Sequence, residues 1–425
     1  MPSYRQAGAV LADHVFSVPL DHGRPHGERI EVFARAMVAA DKAEAGLPWL
    51  LFLQGGPGFG APRPHGRDSW LVRALADYRV LLLDQRGTGR STPASRRTLA
   101  GTAGDQARYL THFRADAIVR DAELIRPEVT GGEPWSVLGQ SFGGFCTVTY
   151  LSLAPEGLRE AFITGGLPGL ATTADDVYRV TYGKVRAKVE EHYQRYPGDV
   201  EQARRVARRL REGDVVLPGG APLTVGAFQA LGQMLGASTG GDDLHYLLED
   251  PFAGGGLSDA FLHEAEHRLS FASGPLYAVL HEACYAQGTA TRWAAQRIRA
   301  EYPRFDPAAA LEGDGPLLFA GEMIYPGMFD ADPVLRPLRG AADALAERED
   351  WPPLYDAARL AANEVPVAAA IYFNDMYVPT EFSVPTGQAI QGLKAWVTSE
   401  YEHNGLRVSN GAVLDRLIAL ARGAA

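Results

Sequence analysis

The chain has 425 residues, of which 46% are hydrophobic and 22% charged, which is enough apolar material for a large core and for two or three domains. Its formal net charge of −10 argues against nucleic acid or an anionic membrane surface as a partner. The two cysteines lack metal-ligand spacing, and there is neither a signal-peptide pattern nor a bilayer-length apolar run, so we expect a cytoplasmic protein without a metal site.

A continuous apolar run, Trp49–Leu53, is the first segment with a clear structural signature, because such runs are typical of buried parallel strands. It ends at a loop with the sequence Gln-Gly-Gly-Pro-Gly at residues 54–58. Backbone N–H groups of such a loop can stabilise the negative charge that develops on an oxygen during acyl transfer. We therefore predict Gly55 or Gly56 as one donor of an oxyanion hole, with a glycine–proline turn of no catalytic role as the alternative.

The next apolar run, residues 78–83, predicts a second strand, and it leads into Asp-Gln-Arg-Gly-Thr-Gly-Arg-Ser at residues 84–91. We predict that Asp84 and Arg86 form a buried pair that holds loops together beneath the site. Neither is assigned a catalytic role.

A strand-to-helix elbow follows at residues 137–145, where an apolar strand end runs into Gly139-Gln140-Ser141-Phe142-Gly143. A Gly-x-Ser-x-Gly turn of this kind exposes the serine hydroxyl at the top of a sheet, because the flanking glycines let other backbone approach closely. The pattern also arises by chance in glycine-rich chains, but the upstream loop favours the elbow. We predict Ser141 as a nucleophile and the Phe142 N–H as the second oxyanion donor.

From about residue 170 to 360 the chain becomes mostly helical and charged, a change of texture that predicts a separate helical segment. Residues 184–210 predict two helices interrupted at Pro197-Gly198, and residues 276–300 predict one longer amphipathic helix.

Strand-like texture returns after about residue 365, with an apolar run at 365–373 and a short strand at 394–398. Asp375 follows the first strand, at the carboxyl end where the sites of open α/β sheets form. His403 follows the second and is the one histidine of the 11 that lies after Asp375. The hydrolase order of serine, acid and histidine therefore predicts the triad Ser141, Asp375 and His403, with the neighbouring Glu402 as a less suitable acid.

The three motifs, in this order and spacing, resemble those of the prolyl aminopeptidases (proline iminopeptidases), in particular their longer bacterial subgroup. The resemblance covers about residues 15–165 and 365–410. It implies an α/β-hydrolase fold with a mostly parallel central sheet and an inserted helical cap. The corresponding domains are a first catalytic part (1–168), the cap (169–362) and a second catalytic part (363–425). Shorter members carry histidine in place of Gln54, which leaves the backbone donors unaffected.

The resemblance also implies a serine aminopeptidase that releases N-terminal proline from small peptides with a free N-terminus, through an acyl-enzyme and without a cofactor. The alternative is an esterase or amide hydrolase of the same fold that acts on an uncharged acyl substrate. The sequence leaves the oligomeric state open.

An aminopeptidase needs a carboxylate for the substrate's cationic nitrogen, and the family is known for cap glutamates in this role. Glu322 is the first candidate and Glu282 the second, because both lie among aromatic residues. A solvated acid is the alternative for each. Aromatic residues near the motifs are expected to line a slot for the proline ring; they are Phe59, Phe142, Tyr325 and Tyr377.

Overall fold

The computed structural model describes residues 3–66 and 69–424. Within these ranges the strands are β1 Ser3–Gln6, β2 Ala9–Pro19, β3 Arg29–Ala39, β4 Trp49–Leu53, β5 Arg79–Leu83, β6 Trp135–Gln140, β7 Leu158–Thr164, β8 Phe252–Ala253, β9 Gly256–Leu257, β10 Val367–Tyr372 and β11 Lys394–Thr398. The helices are α1 Leu71–Asp77, α2 Ala103–Leu110, α3 Ala115–Thr130, α4 Phe142–Leu153, α5 Ala174–Arg195, α6 Asp199–Arg211, α7 Val225–Ala230, α8 Gly240–Glu249, α9 Asp259–Leu269, α10 Pro275–Leu280, α11 Ala294–Arg299, α12 Pro326–Ala331, α13 Arg339–Ala346, α14 Ala357–Ala361, α15 Thr380–Ala389, α16 Gly405–Val408 and α17 Ala412–Ala421.

One nine-stranded sheet forms the body, with the strand order β1-β2-β3-β5-β4-β6-β7-β10-β11. In this spatial order, neighbouring strands from β5 through β4, β6, β7 and β10 to β11 are parallel. The strands β1, β2 and β3 are antiparallel to their neighbours and form one edge of the sheet. The predicted α/β class with a mostly parallel sheet is confirmed. The strands predicted from the four apolar runs are also confirmed, because residues buried on both faces of a parallel sheet are continuously apolar.

The register aligns the carboxyl ends of the central strands. Leu53 of β4 pairs with Gly139 of β6, and Gln140 of β6 pairs with Thr164 of β7. At the far side Tyr372 of β10 pairs with Thr398 of β11. The glycine loop, the elbow and the segments that carry the predicted acid and base therefore leave the sheet at the same edge.

Two hydrophobic layers cover the sheet. Helices α3 and α4 pack on one face, where Leu51 and Leu53 point, and α1 and α17 pack on the other, where Leu50 and Phe52 point. Successive side chains of β4 thus point into opposite layers, because side chains alternate between the two faces of a strand.

Helices α5 to α9 and α11 share a separate hydrophobic cluster, to which Met376 of the body also contributes. The two helices predicted around Pro197-Gly198 are confirmed as α5 and α6. The single helix predicted over 276–300 is wrong, because the segment forms α10, a 3₁₀ turn, a loop and α11. Arg292 and Trp293 have φ values of 49° and 55°, a left-handed conformation that ends any right-handed helix.

The later part of the predicted cap packs differently. Helix α13 contacts α2, helix α14 contacts α4, and Leu345 and Leu360 belong to the cluster of the body. The domain boundaries stay a prediction, and this packing favours an earlier end for the cap than residue 362. None of the helices in the described ranges combines the length and hydrophobicity of a bilayer-spanning helix.

Candidate active site

Ser141 occupies a strained turn between β6 and α4, with φ 55° and ψ −123°. Non-glycine residues seldom adopt positive φ, so the surrounding packing must enforce it. The flanking glycines make this possible: a Cβ on Gly139 would lie 2.3 Å from Gly143 O, and one on Gly143 would lie 1.9 Å from Leu53 O. The Gly-x-Ser-x-Gly spacing therefore follows from three backbone segments in close contact.

Asp375 lies just beyond β10, is 1% exposed and contacts the imidazole of His403. Its Oδ2 is 2.7 Å from His403 Nδ1, and its Oδ1 accepts the N–H groups of Tyr377 and Val378 at 2.8 and 3.0 Å. These backbone donors fix the carboxylate, which in turn fixes the ring. Burial alone would lower the pKa of His403, but the charge and hydrogen bond of Asp375 outweigh it, so that the pKa is raised.

Ser141 and His403 both adjoin the turn that follows β7. A Cβ on Gly165 would lie 3.1 Å from His403 Nδ1, and a Cβ on Gly166 would lie 2.4 Å from Ser141 O. Ser141 and His403 are each 8% exposed. The structure thus brings the predicted serine, acid and histidine to one enclosed edge of the sheet.

The glycine loop after β4 touches the serine directly. A Cβ on Gly55 would lie 3.0 Å from Ser141 Cβ, and Gly56 has φ 142°, which favours glycine. The loop is held from below, because Gln85 Nε2 donates to Gln54 O at 3.0 Å. Phe142 begins α4, whose first N–H groups have no partner within the helix.

The predicted pair of Asp84 and Arg86 is wrong in its partners, although both residues are buried. Asp84 binds Arg63 and accepts the Ala61 N–H at 2.8 Å, which anchors the segment after the glycine loop. Arg86 binds Asp121 at 2.5 Å. Both residues lie beyond the end of β5, where the chain turns, so their side chains reach different loops.

Glu322 is half-buried near the imidazole. Its Oε1 accepts the Tyr277 hydroxyl at 2.7 Å, and Tyr277 in turn accepts Gln233 Nε2 at 2.7 Å. Burial raises the pKa of Glu322 to about 7, although the Tyr277 hydrogen bond and the proximity of His403 lower it in part. The carboxylate and the imidazole are therefore close enough to influence each other's protonation.

Glu282 does not fit its predicted role, because both of its oxygens are engaged within the protein. They accept the N–H groups of Ala294 and Ala295 at 3.0 and 2.9 Å, at the start of α11. The first N–H groups of a helix need acceptors, and this carboxylate supplies them. Burial raises the pKa of Glu282 to about 7. We interpret Glu282 as a helix-capping residue.

The predicted aromatic slot is corrected at one position. Tyr325 points into the cap cluster, where its hydroxyl lies 2.9 Å from that of Tyr182, so it does not line the site. Tyr377 packs edge-on against His403 with ring centroids 4.8 Å apart. Phe59 is half-buried and packs against Tyr277 at 5.3 Å.

Sequence reasoning missed Tyr277, Gln233 and Lys188. Lys188 of α5 binds Glu402 at 2.6 Å, which ties the cap to the loop before His403. No spacing signal marks these residues, since each contact joins distant parts of the chain. The one feature of the sequence that pointed to this part of the cap was the presence of acidic residues among aromatic residues.

Comparisons with known proteins identify the family of the chain. The family described as alpha/beta hydrolase fold matches residues 48–251. A proline iminopeptidase of Aeromonas sobria is 50% identical over 411 residues, which cover 96% of each chain. A proline iminopeptidase of Aspergillus aculeatus is 37% identical over 95% of this chain and 92% of the relative. A shorter one from Neisseria meningitidis is 29% identical over 38% of this chain and 45% of its own. The chain therefore belongs to the proline iminopeptidase family of α/β hydrolases.

Proposed function

We propose that this protein is a serine aminopeptidase that releases N-terminal proline from small peptides. The relatives that match nearly the whole chain are named proline iminopeptidases, which supports the substrate class. The observation that carries the proposal is Glu322, a half-buried carboxylate that accepts the Tyr277 hydroxyl and whose charge helps to raise the pKa of His403. An enclosed carboxylate beside a catalytic histidine suits a substrate with a cationic nitrogen next to its scissile carbonyl.

The reaction follows from the roles that the geometry allows. Ser141 Oγ attacks the prolyl carbonyl while His403 Nε2 accepts its proton. Asp375 holds Nδ1–H and stabilises the imidazolium. His403 returns the proton to the leaving amine, and a water molecule, activated by the same imidazole, then releases proline from the ester.

The oxyanion of each tetrahedral intermediate needs two donors. We assign them to the Phe142 N–H and to the N–H of Gly55 or Gly56. Gly55 lies against Ser141, as a donor to an oxygen on the attacked carbon must.

Specificity for a free N-terminus follows from charge. The ionised Glu322 forms an ion pair with the protonated imino nitrogen, and the aromatic rings of Phe59 and Tyr377 lie where they can flank the ring of proline. A blocked nitrogen carries no charge and adds bulk on that side. We also propose a cytoplasmic location, which two buried free thiols, Cys146 and Cys284, support.

The test is a panel of three substrates with the purified protein: prolyl p-nitroanilide, its N-acetylated form and p-nitrophenyl butyrate. We expect kcat/KM for the free prolyl substrate to exceed kcat/KM for the blocked substrate by at least about 10-fold. This factor corresponds to about 1.5 kcal/mol, the lower end of the free energy that one charge-assisted hydrogen bond contributes. Equal rates on free and blocked substrates, or hydrolysis of the ester alone, would overturn the aminopeptidase assignment in favour of an esterase.

A further inference from the structure

The cap contains a cavity of about 440 Å³ that the mechanism above does not use. Three aromatic residues, Phe59, Phe271 and Tyr277, form one part of its wall, and Ala227, Ala230 and Met234 line another. All except Tyr277 are half-buried, so apolar side chains are left partly accessible within an otherwise well-packed cap. Concave apolar surfaces of this size are typical of ligand subsites.

This cavity shares a wall with the candidate active site. Phe59 directly follows the glycine loop that touches Ser141, and its ring packs on Tyr277 at 5.3 Å. Tyr277 donates to Glu322 and accepts from Gln233, which also lines the cavity. The aromatic wall therefore separates the cavity from the carboxylate that we assign to the substrate's nitrogen.

The direction of the substrate decides which part the cavity can receive. When Glu322 binds the imino nitrogen, the acyl side of the substrate ends there, and the peptide beyond the scissile bond must extend in another direction. We propose that the cavity is a subsite for the apolar side chain of the residue that follows the N-terminal proline. This inference rests on the proposed aminopeptidase function.

The charged residues of the cavity favour an apolar occupant over an acidic one, because two carboxylates, Glu266 and Asp332, line its wall and Arg268 is already paired. Arg268 binds Glu264 at 2.7 Å, and Glu266 accepts the Gly219 N–H at 2.7 Å. Asp332 accepts the Val334 N–H at 2.6 Å. A glutamate side chain in the cavity would lose its hydration beside these two carboxylates, and Arg268 would not be free to pair with it.

The experiment compares prolyl-glycine amide, prolyl-leucine amide and prolyl-glutamate amide as substrates of the wild-type protein and of Ala230→Trp. The wild type should prefer the leucine substrate by about 10- to 100-fold over the other two, the usual value of filling an apolar pocket. Ala230→Trp fills the cavity and should reduce the preference for leucine over glycine at least 5-fold. Ala187→Trp, on an exposed position of α5, is the matched control and should keep the preference.

Each other outcome is decisive. A wild type without preference at this position, or an Ala230→Trp variant that slows all three substrates by the same factor, would overturn the subsite. If Ala230→Trp does not fold, as judged by circular dichroism, Ala227→Leu is measured in the same way and must reduce the same preference. Failure to cleave any prolyl amide, with ester hydrolysis retained, would instead refute the proposed function itself.

Discussion

Replacing Glu322 by glutamine keeps the size of the side chain and removes its charge. Glutamine can still accept the Tyr277 hydroxyl, so the local packing should survive. The lost interaction is one charge-assisted hydrogen bond to the imino nitrogen, about 1.5–3 kcal/mol, which corresponds to roughly a 10- to 150-fold loss in kcat/KM for a free prolyl substrate. An uncharged ester should be hydrolysed at nearly the wild-type rate.

The pH dependence gives this variant a second signature. Ester and prolyl amide both need neutral His403, so the ratio of their kcat/KM values cancels that titration. Because the pKa of Glu322 is about 7, its ionised fraction should rise roughly 25-fold from about pH 5.5 to 7.5 in the wild type. The ratio of amide to ester should rise with it by about 6- to 20-fold, because the enzyme with neutral Glu322 keeps the residual activity expected of the glutamine variant. The ratio should be flat in Glu322→Gln.

Stopped assays of both substrates across this pH range measure the effect. Glu190→Gln is the control, since Glu190 is an exposed acid of the cap that lies 3.7 Å from Arg186. A Glu322→Gln variant that slows ester and amide equally, or one that retains the rising ratio, would refute the reasoning.

Two further perturbations test the site and the cap. Asp375→Asn should lower kcat by about 10⁴-fold, because the amide favours the wrong tautomer of His403; a loss below 10-fold in steady-state assays would contradict the assignment. The pKa of Glu282 is about 7 in the folded protein and about 4.5 in the unfolded chain. Its contribution to the free energy of unfolding is therefore greatest below about pH 4.5 and is lost as the pH rises through 7. Urea unfolding of the wild type and Glu282→Gln should show a stability difference that changes by about 3 kcal/mol over this range; a constant difference would contradict the raised pKa.

The body and its reactive edge could be predicted because local sequence determines them. Runs such as Trp49–Leu53 are apolar on both faces only when a strand is buried on both faces, and the elbow around Ser141 needs its glycines for steric reasons. Asp375 and His403 follow strands of the same sheet, so the chain order sufficed to bring them together.

The cap could not be predicted as well, since its details depend on contacts between distant segments. Hydrophobic periodicity does not report the left-handed conformation of Arg292 and Trp293, which divides the predicted helix. Glu322 and Glu282 were the first and second candidates because both lie among aromatic residues, but only the tertiary structure shows that the start of a helix occupies Glu282. The cavity likewise arises from segments that are far apart in the chain.

Turnover by Ser141→Ala tests the central claim, that Ser141 is the nucleophile of a peptidase, most directly. Preparations free of wild-type enzyme can be verified by the absence of fluorophosphonate labelling. We predict a folded protein that hydrolyses prolyl p-nitroanilide at a residual rate about 10³- to 10⁴-fold above that of the uncatalysed reaction. The oxyanion hole and substrate binding alone account for this residual rate. Turnover within 10-fold of the wild type would contradict it.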